Sequence, residues 1–231
     1  EAGKPLLGLF GSSHMKYELD RPADEPSLAQ MTLAAIKQLK DKEKGYFLMV
    51  EGGRIDHALH DTNAKRALQD TLAFDNAIKA AIDEVKKTDP ELKNTLIVVT
   101  ADHDHTLVLN GYAKRTGKTT TGNPGVLGLV KNYQTGEPSK DADGMPYTII
   151  GFGNGYNRVD GPRSSVAPLD DATVSANDYH QEVVVKVGDI GNETHGGTDV
   201  FLGAIGQGAD SFHGSLDNTA VFGKVKAAAK L

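Results

Sequence analysis

Apolar residues recur along this chain in two rhythms. After the turn-rich segment 20–26, Ser27 stands at a helix N-cap position, and Leu28, Met31, Ala34, Ala35 and Leu39 follow at helical intervals. That spacing predicts an amphipathic helix over about 28–41, with the Ser27 hydroxyl satisfying a free N–H of the first turn. A longer helix is predicted from about 63 to 87, with an inward stripe running from Ala64 and Ala67 through Leu68, Leu72, Phe74 and Ile78 to Ala81, Ile82 and Val85, and with Asp89-Pro90 as its stop. Residues 46–50 and 96–100 are unbroken apolar runs, the pattern of strands covered on both faces. Segments 6–10, 147–151 and 200–205 read as further strands and 218–230 as a final helix. Strand, long helix, strand is the βαβ unit of a parallel sheet. The expected class is therefore α/β, a mostly parallel sheet sandwiched by helices.

The texture changes between about 110 and 190. Gly, Thr, Pro, Asn and Asp dominate 111–124 and 135–146, and little apolar periodicity survives apart from 182–187. We expect an insertion of short strands and loops set into the α/β scaffold. No internal repeat is present.

Composition narrows the chemistry. With 39% hydrophobic and 24% charged residues over 231 positions, the chain can bury a sizeable core and is not disordered as a whole. A net charge of −6 makes duplex nucleic acid a poor partner, because the surface repels its phosphates. It leaves room for a small phosphorylated substrate, since a bound cation reverses the field locally. No run of eighteen apolar residues exists to span a membrane. There is no cysteine, which removes disulfides, thiolate metal sites and a thiol nucleophile; a transition metal here has to be held by His, Asp and Glu. The opening, Glu1-Ala2-Gly3-Lys4-Pro5, has no secretory-signal character and reads as sequence from the middle of a protein.

In open α/β sheets ligands sit beyond the carboxyl ends of strands. Here two apolar runs lead straight into donor-rich segments: Glu51-Gly52-Gly53-Arg54-Ile55-Asp56-His57-Ala58-Leu59-His60, and Ala101-Asp102-His103-Asp104-His105. Asp56 and His60 are four apart, which on a helical turn puts both on one face while His57 points elsewhere. Asp102 and His103 are adjacent at a strand-to-loop transition and can converge on a second ion. Carboxylate with imidazole suits zinc, whereas an all-oxygen shell suits magnesium. A lone loop His or Asp is more often a surface or capping residue. Two such clusters at two strand ends are harder to dismiss. A third segment, Glu193-Thr194-His195-Gly196-Gly197, is weak by itself.

Taken together and in order, the segments beginning at Val50, Thr100 and Glu193 closely resemble three motifs of the alkaline phosphatases. The likeness extends upstream through Leu9-Phe10 and Met15-Lys16-Tyr17-Glu18, downstream through Phe212-His213-Gly214, and more loosely across 110–190. The resemblance implies hydrolysis of phosphate monoesters through a phosphoserine, with two zinc ions and one magnesium per site. It implies a first zinc held by Asp56, His60 and His195, a second by Asp102 and His103, and magnesium by Glu51. His105 would steady the Asp56 carboxylate, and His57 would contact phosphate or its water shell. His14, His180 and His213 are left as structural or surface residues.

The same resemblance marks what is missing. The family's nucleophilic serine follows an aspartate at an early helix start, and no such context occurs here. Asp210-Ser211 is the only Asp-Ser pair, and it lies in a late Gly-rich loop with no strand before it. Arg54 and Arg66 could bind phosphate, yet neither aligns with the family's phosphate clamp. The chain is therefore expected to be part of a longer enzyme, inactive alone, poorly soluble or self-associating through exposed strand edges. Gly11 stands where some relatives carry an acidic calcium ligand, which puts calcium binding in question. A homodimer and a periplasmic or extracellular location are implied for the full-length enzyme. The competing readings are a phosphodiesterase or phosphomutase of the same metal superfamily, and a non-catalytic metal-binding module.

Overall fold

A computed structural model describes residues 5–114 and 123–230. Residues 1–4, and 115–122 within the Gly- and Thr-rich stretch 111–124, fall outside the described residues.

Three helices come first: α1 (Leu28–Leu39), α2 (Arg54–His60) and α3 (Ala64–Val85). Ser27 caps α1 as expected, and a reciprocal capping box forms, with Ser27 Oγ accepting from Gln30 N–H and the Gln30 side chain accepting from Ser27 N–H. Asn63 caps α3 by accepting from Arg66 N–H at 3.0 Å. Its amide donates to Asn177 O at 2.9 Å, so one fully buried side chain starts the helix and ties it to a distant loop. Helix α3 packs along both α1 and α2. Asp89 closes the α3 unit by accepting from the N–H groups of Lys93 and Asn94 and the hydroxyl of Thr95.

The strands are β1 (Leu96–Thr100), β2 (Asp104–His105), β3 (Leu107–Leu109), β4 (Ile150–Gly155), β5 (Val183–Lys186), β6 (His195–Gly196) and β7 (Leu202–Gly206). A one-turn helix α4 (Asp171–Val174) and the last helix α5 (Asn218–Ala228), capped by Asp217, complete the set. Strand pairing is mixed. β1 runs antiparallel to β7, β2 to β6 and β3 to β4, while β4 and β5 are parallel. The α/β class holds. Its buried centre gathers Ala64, Ile150, Phe152 and Val183, with Leu59, Leu68, Leu107 and Leu127 packed around them. Enclosing Phe152, which is 1% exposed, stabilises the fold by about 2–3 kcal/mol.

Two expected strands are not formed. Segments 6–10 and 46–50 carry no strand pairing, and Leu7, Leu9, Phe47 and Met49 are each more than two-thirds exposed. A strand exists only through its ladder partner, and here neither apolar run has one. With 46–50 unpaired, no strand–helix–strand crossover onto β1 exists; the neighbour of β1 is β7. The strand expected over 147–151 begins later, at Ile150, and the one expected over 200–205 is displaced to Leu202–Gly206.

These elements leave a wide cleft of about 1850 Å³. Leu28 and Met31 of α1, Phe74 of α3, Val98 of β1 and Leu202 of β7 supply its apolar walls, and the Asp- and His-rich segments form its polar end.

Candidate metal centre

Helix α2 sets the first donors. One helical turn separates Asp56 from His60, and His60 Nε2 lies 3.3 Å from Asp56 Oδ1. His57, on another face, accepts a hydrogen bond from Arg54 Nη1 at 2.8 Å through Nδ1. His14 stands edge-on to the His57 ring at 4.3 Å. Burial, reinforced by the Arg54 charge, holds the His57 pKa below the usual imidazole value. The Arg54 guanidinium also stacks 3.7 Å from the centre of the Tyr17 ring. The Tyr17 hydroxyl donates to Asp61 Oδ2, and burial plus that carboxylate push its pKa up to about 12.

The second and third segments meet through the two-residue ladder of β2 and β6, which pairs Asp104 with Gly196 and His105 with His195. The approach demands glycine at 196: a Cβ there would lie 2.5 Å from His105 O. Thr198 Oγ1 donates to Asp104 Oδ2 and staples the loop beyond. His195 is thus delivered beside residues from which it is separated by 90 positions or more.

The result is a carboxylate oxygen ringed by imidazoles. Around Asp56 Oδ1 lie His105 Nε2 at 3.0 Å, His60 Nε2 at 3.3 Å, His103 Nε2 at 3.7 Å and His195 Nε2 at 3.8 Å. His103 and His195 stack with ring centres 3.5 Å apart. His60 Nε2 and His195 Nε2 are 3.3 Å apart. Asp56, His60 and His195 therefore present a donor triangle with sides of 3.3, 3.3 and 3.8 Å. Donors about 2.0–2.1 Å from a tetrahedral zinc stand about 3.3 Å from each other, so this triangle fits one face of such a shell. Donor atoms of Asp56, His103, His105 and His195 all lie within 4.8 Å of one another, and so do those of His60, His105 and Glu193.

Of the other residues singled out in the sequence, Asp102 has a side chain that is 89% exposed, with Oδ2 3.6 Å from His103 Nε2. Glu51 lines the same cleft but stands outside both groups. His180 and His213 direct Nδ1 to the carbonyls of Asp61 and Asp210. Ser211 lies in a short turn with its hydroxyl donating to Gly208 O at 2.9 Å.

One residue was missed. Glu193 is fully enclosed, and its Oε2 accepts from His105 Nδ1 at 2.6 Å. Its Oε1 accepts from both the N–H and the hydroxyl of Thr106, at 2.7 and 2.6 Å. Burial pushes the Glu193 pKa up, and the bonds from His105 and Thr106 more than reverse that, holding it below the usual carboxylate range. Burial likewise opposes charge on His105, but Glu193 and Asp56 together raise its pKa. The sequence signal was its place two residues before His195 in a shared motif.

Fold and site together define an α/β protein with a histidine–carboxylate centre suited to divalent cations. The comparisons with known proteins narrow this further. The alkaline phosphatase family model matches residues 1–231, and the chain belongs to that family. It is 40% identical over 212 residues to the tissue-nonspecific alkaline phosphatase of Gallus gallus, covering 90% of this chain and 36% of that protein. It is 38% identical over 220 residues to a membrane-bound alkaline phosphatase of Bombyx mori, covering 94% and 36%. Among solved structures, a cold-active alkaline phosphatase from Shewanella sp. matches with a TM-score of 0.58 at 20% identity, over 96% of this chain and 55% of that one. The enzyme of the Antarctic bacterium TAB5 matches with a TM-score of 0.51 at 22% identity, over 92% and 43%. These two likenesses concern the fold. The chain spans little more than a third of the length of the curated relatives it matches. Among the described residues, no helix is long and apolar enough to cross a membrane.

Proposed function

We propose that this chain supplies the metal-binding part of a phosphate monoesterase, completed by polypeptide outside these 231 residues. The Asp56–His60–His195 triangle carries the reading, because two segments far apart in sequence present three donors at zinc spacing. In this reading Asp56, His60 and His195 hold one zinc, Asp102 and His103 a second, and Glu51 a magnesium. Such ions, when bound, supply Lewis-acid stabilisation of the transferring phosphoryl group and of an alkoxide nucleophile. The chain's own residues orient. His105 donates to Asp56 Oδ1 and fixes the carboxylate. Arg54 occupies Nδ1 of His57, which keeps the His57 proton on Nε2, where it can donate to a phosphate oxygen.

The nucleophile is assigned to a serine in the remaining polypeptide, which forms a phosphoserine. That segment also fills the apolar cleft, and residues 110–190, whose strands β4 and β5 also give Ile150, Phe152 and Val183 to the core, carry the crown or interface insertion of a homodimer. By family likeness the intact enzyme works in the periplasm or outside the cell. A second reading, a metal-binding module without catalysis, applies to the chain taken alone. It is favoured by the position of Ser211, whose hydroxyl is engaged within its own turn.

The test is hydrolysis of p-nitrophenyl phosphate and bis(p-nitrophenyl) phosphate by the intact, zinc- and magnesium-loaded polypeptide. Monoester turnover far above diester turnover, abolished by a chelator, is expected. The reverse preference would assign the protein to a phosphodiesterase.

A further inference from the structure

Glu193 does two things at once. Its carboxylate accepts from His105 Nδ1 at 2.6 Å, and its main-chain carbonyl lies 2.5 Å from His60 Nδ1. We propose that Glu193 is the positioning residue of the metal centre, fixing the ring orientation of both His60 and His105. The inference rests on the metal reading above and deepens it by assigning a residue that holds the donors without being one.

The argument is one of hydrogen-bond capacity. With its Nδ1–H committed to the Glu193 carbonyl, His60 leaves Nε2 bare and turned toward Asp56, the state in which an imidazole binds a cation. With Nδ1–H committed to the Glu193 carboxylate, His105 turns Nε2 to Asp56 Oδ1 at 3.0 Å. Glu193 itself is a poor candidate for direct ligation. Its side chain has no exposure, and its two oxygens already accept three hydrogen bonds from His105 and Thr106. Thr106 is the anchor that lets the carboxylate aim. One residue thereby couples the β2 segment to α2 across the centre, and outer partners of this kind typically carry about 10–100-fold in metal affinity.

Glu193→Gln tests this. An amide cannot accept on its nitrogen; with the amide oxygen kept on Thr106, the charge-assisted bond from His105 Nδ1–H gives way to a neutral amide-to-imidazole bond in the other tautomer, and the hold on His105 weakens. In the intact, metal-free polypeptide, chelator competition should show zinc affinity reduced by about 10–100-fold. The cobalt(II) absorption spectrum, which reports ligand geometry, should change with it. Thr106→Val, which keeps the carboxylate but removes one of its anchors, should weaken zinc in the same direction by a smaller factor, and it decides the matter if Glu193→Gln does not fold. Wild-type zinc affinity and an unaltered cobalt spectrum in the folded Glu193→Gln protein, or in Thr106→Val when that protein must stand in, would overturn the inference. Wild-type protein that takes up no zinc contradicts the metal reading itself, a different result from equal binding by wild type and variant.

Discussion

Asp56 Oδ1 and His60 Nε2 stand 3.3 Å apart across one turn of a seven-residue helix, close enough to share one cation. Their spacing in the sequence sets this directly, since positions i and i+4 share a helix face. Asp56→Asn and His60→Ala should each lower zinc affinity by more than the tenfold or so expected at the low end for an outer partner. Competition with a chromophoric chelator measures this. His57→Ala, on another face, should leave zinc affinity within a few-fold of wild type while weakening inhibition by inorganic phosphate.

Asp70 provides a pH signature away from the metal donors. Burial pushes its pKa up to about 6, against the lowering effects of the Glu18 N–H, which donates to Oδ2 at 3.2 Å, and of Arg54. The folded state therefore holds a proton that the unfolded chain releases between about pH 4 and 6. The stability from this proton is present below the unfolded value and is lost as pH rises through the folded one. Asp70→Asn removes the penalty of a half-buried charge. Chemical denaturation should find the variant more stable than wild type by about 1 kcal/mol near pH 7.5, after allowance for solvent screening, with the difference gone below about pH 4.

Asn63 joins the site helix to the long helix. Asn63→Ala deletes, from a side chain with no exposure, both the cap on Arg66 N–H and the bond to the Asn177 carbonyl. The cost should be about 2 kcal/mol, read from a denaturant midpoint. Asn63→Asp keeps the cap and should recover part of that loss.

Arg163 organises the segment preceding β5. Its guanidinium takes both oxygens of Glu182, at 3.1 and 2.7 Å, together with Asp141 and the Pro146 carbonyl. Lysine has no planar fork to match this set. Arg163→Lys should destabilise the protein by about 2 kcal/mol in thermal or denaturant unfolding, and salt should recover little of it because the pair is shielded.

The parts legible in the sequence were those fixed by local chemistry. Ser27 announces a helix start through a side chain that bonds to the first turn, and the Leu96–Thr100 run forms its strand. The Asp56–His60 pairing followed from helical period alone. The runs 6–10 and 46–50 misled, because strand propensity says nothing of whether a partner strand is at hand, and both lie exposed at 231 residues of a family whose members are longer. The role of Glu193 inside its motif was hidden for a related reason. A glutamate in a Gly- and Thr-rich segment looks like a solvated loop residue until the Gly196 approach to His105 closes it against a partner 88 positions away.

Anomalous X-ray scattering at the zinc edge, from crystals of the zinc-loaded intact polypeptide, tests the centre most directly. A peak about 2 Å from Asp56, His60 and His195 together is predicted. Anomalous density only at sites remote from these three side chains, or none in protein shown by assay to be zinc-saturated, would contradict it.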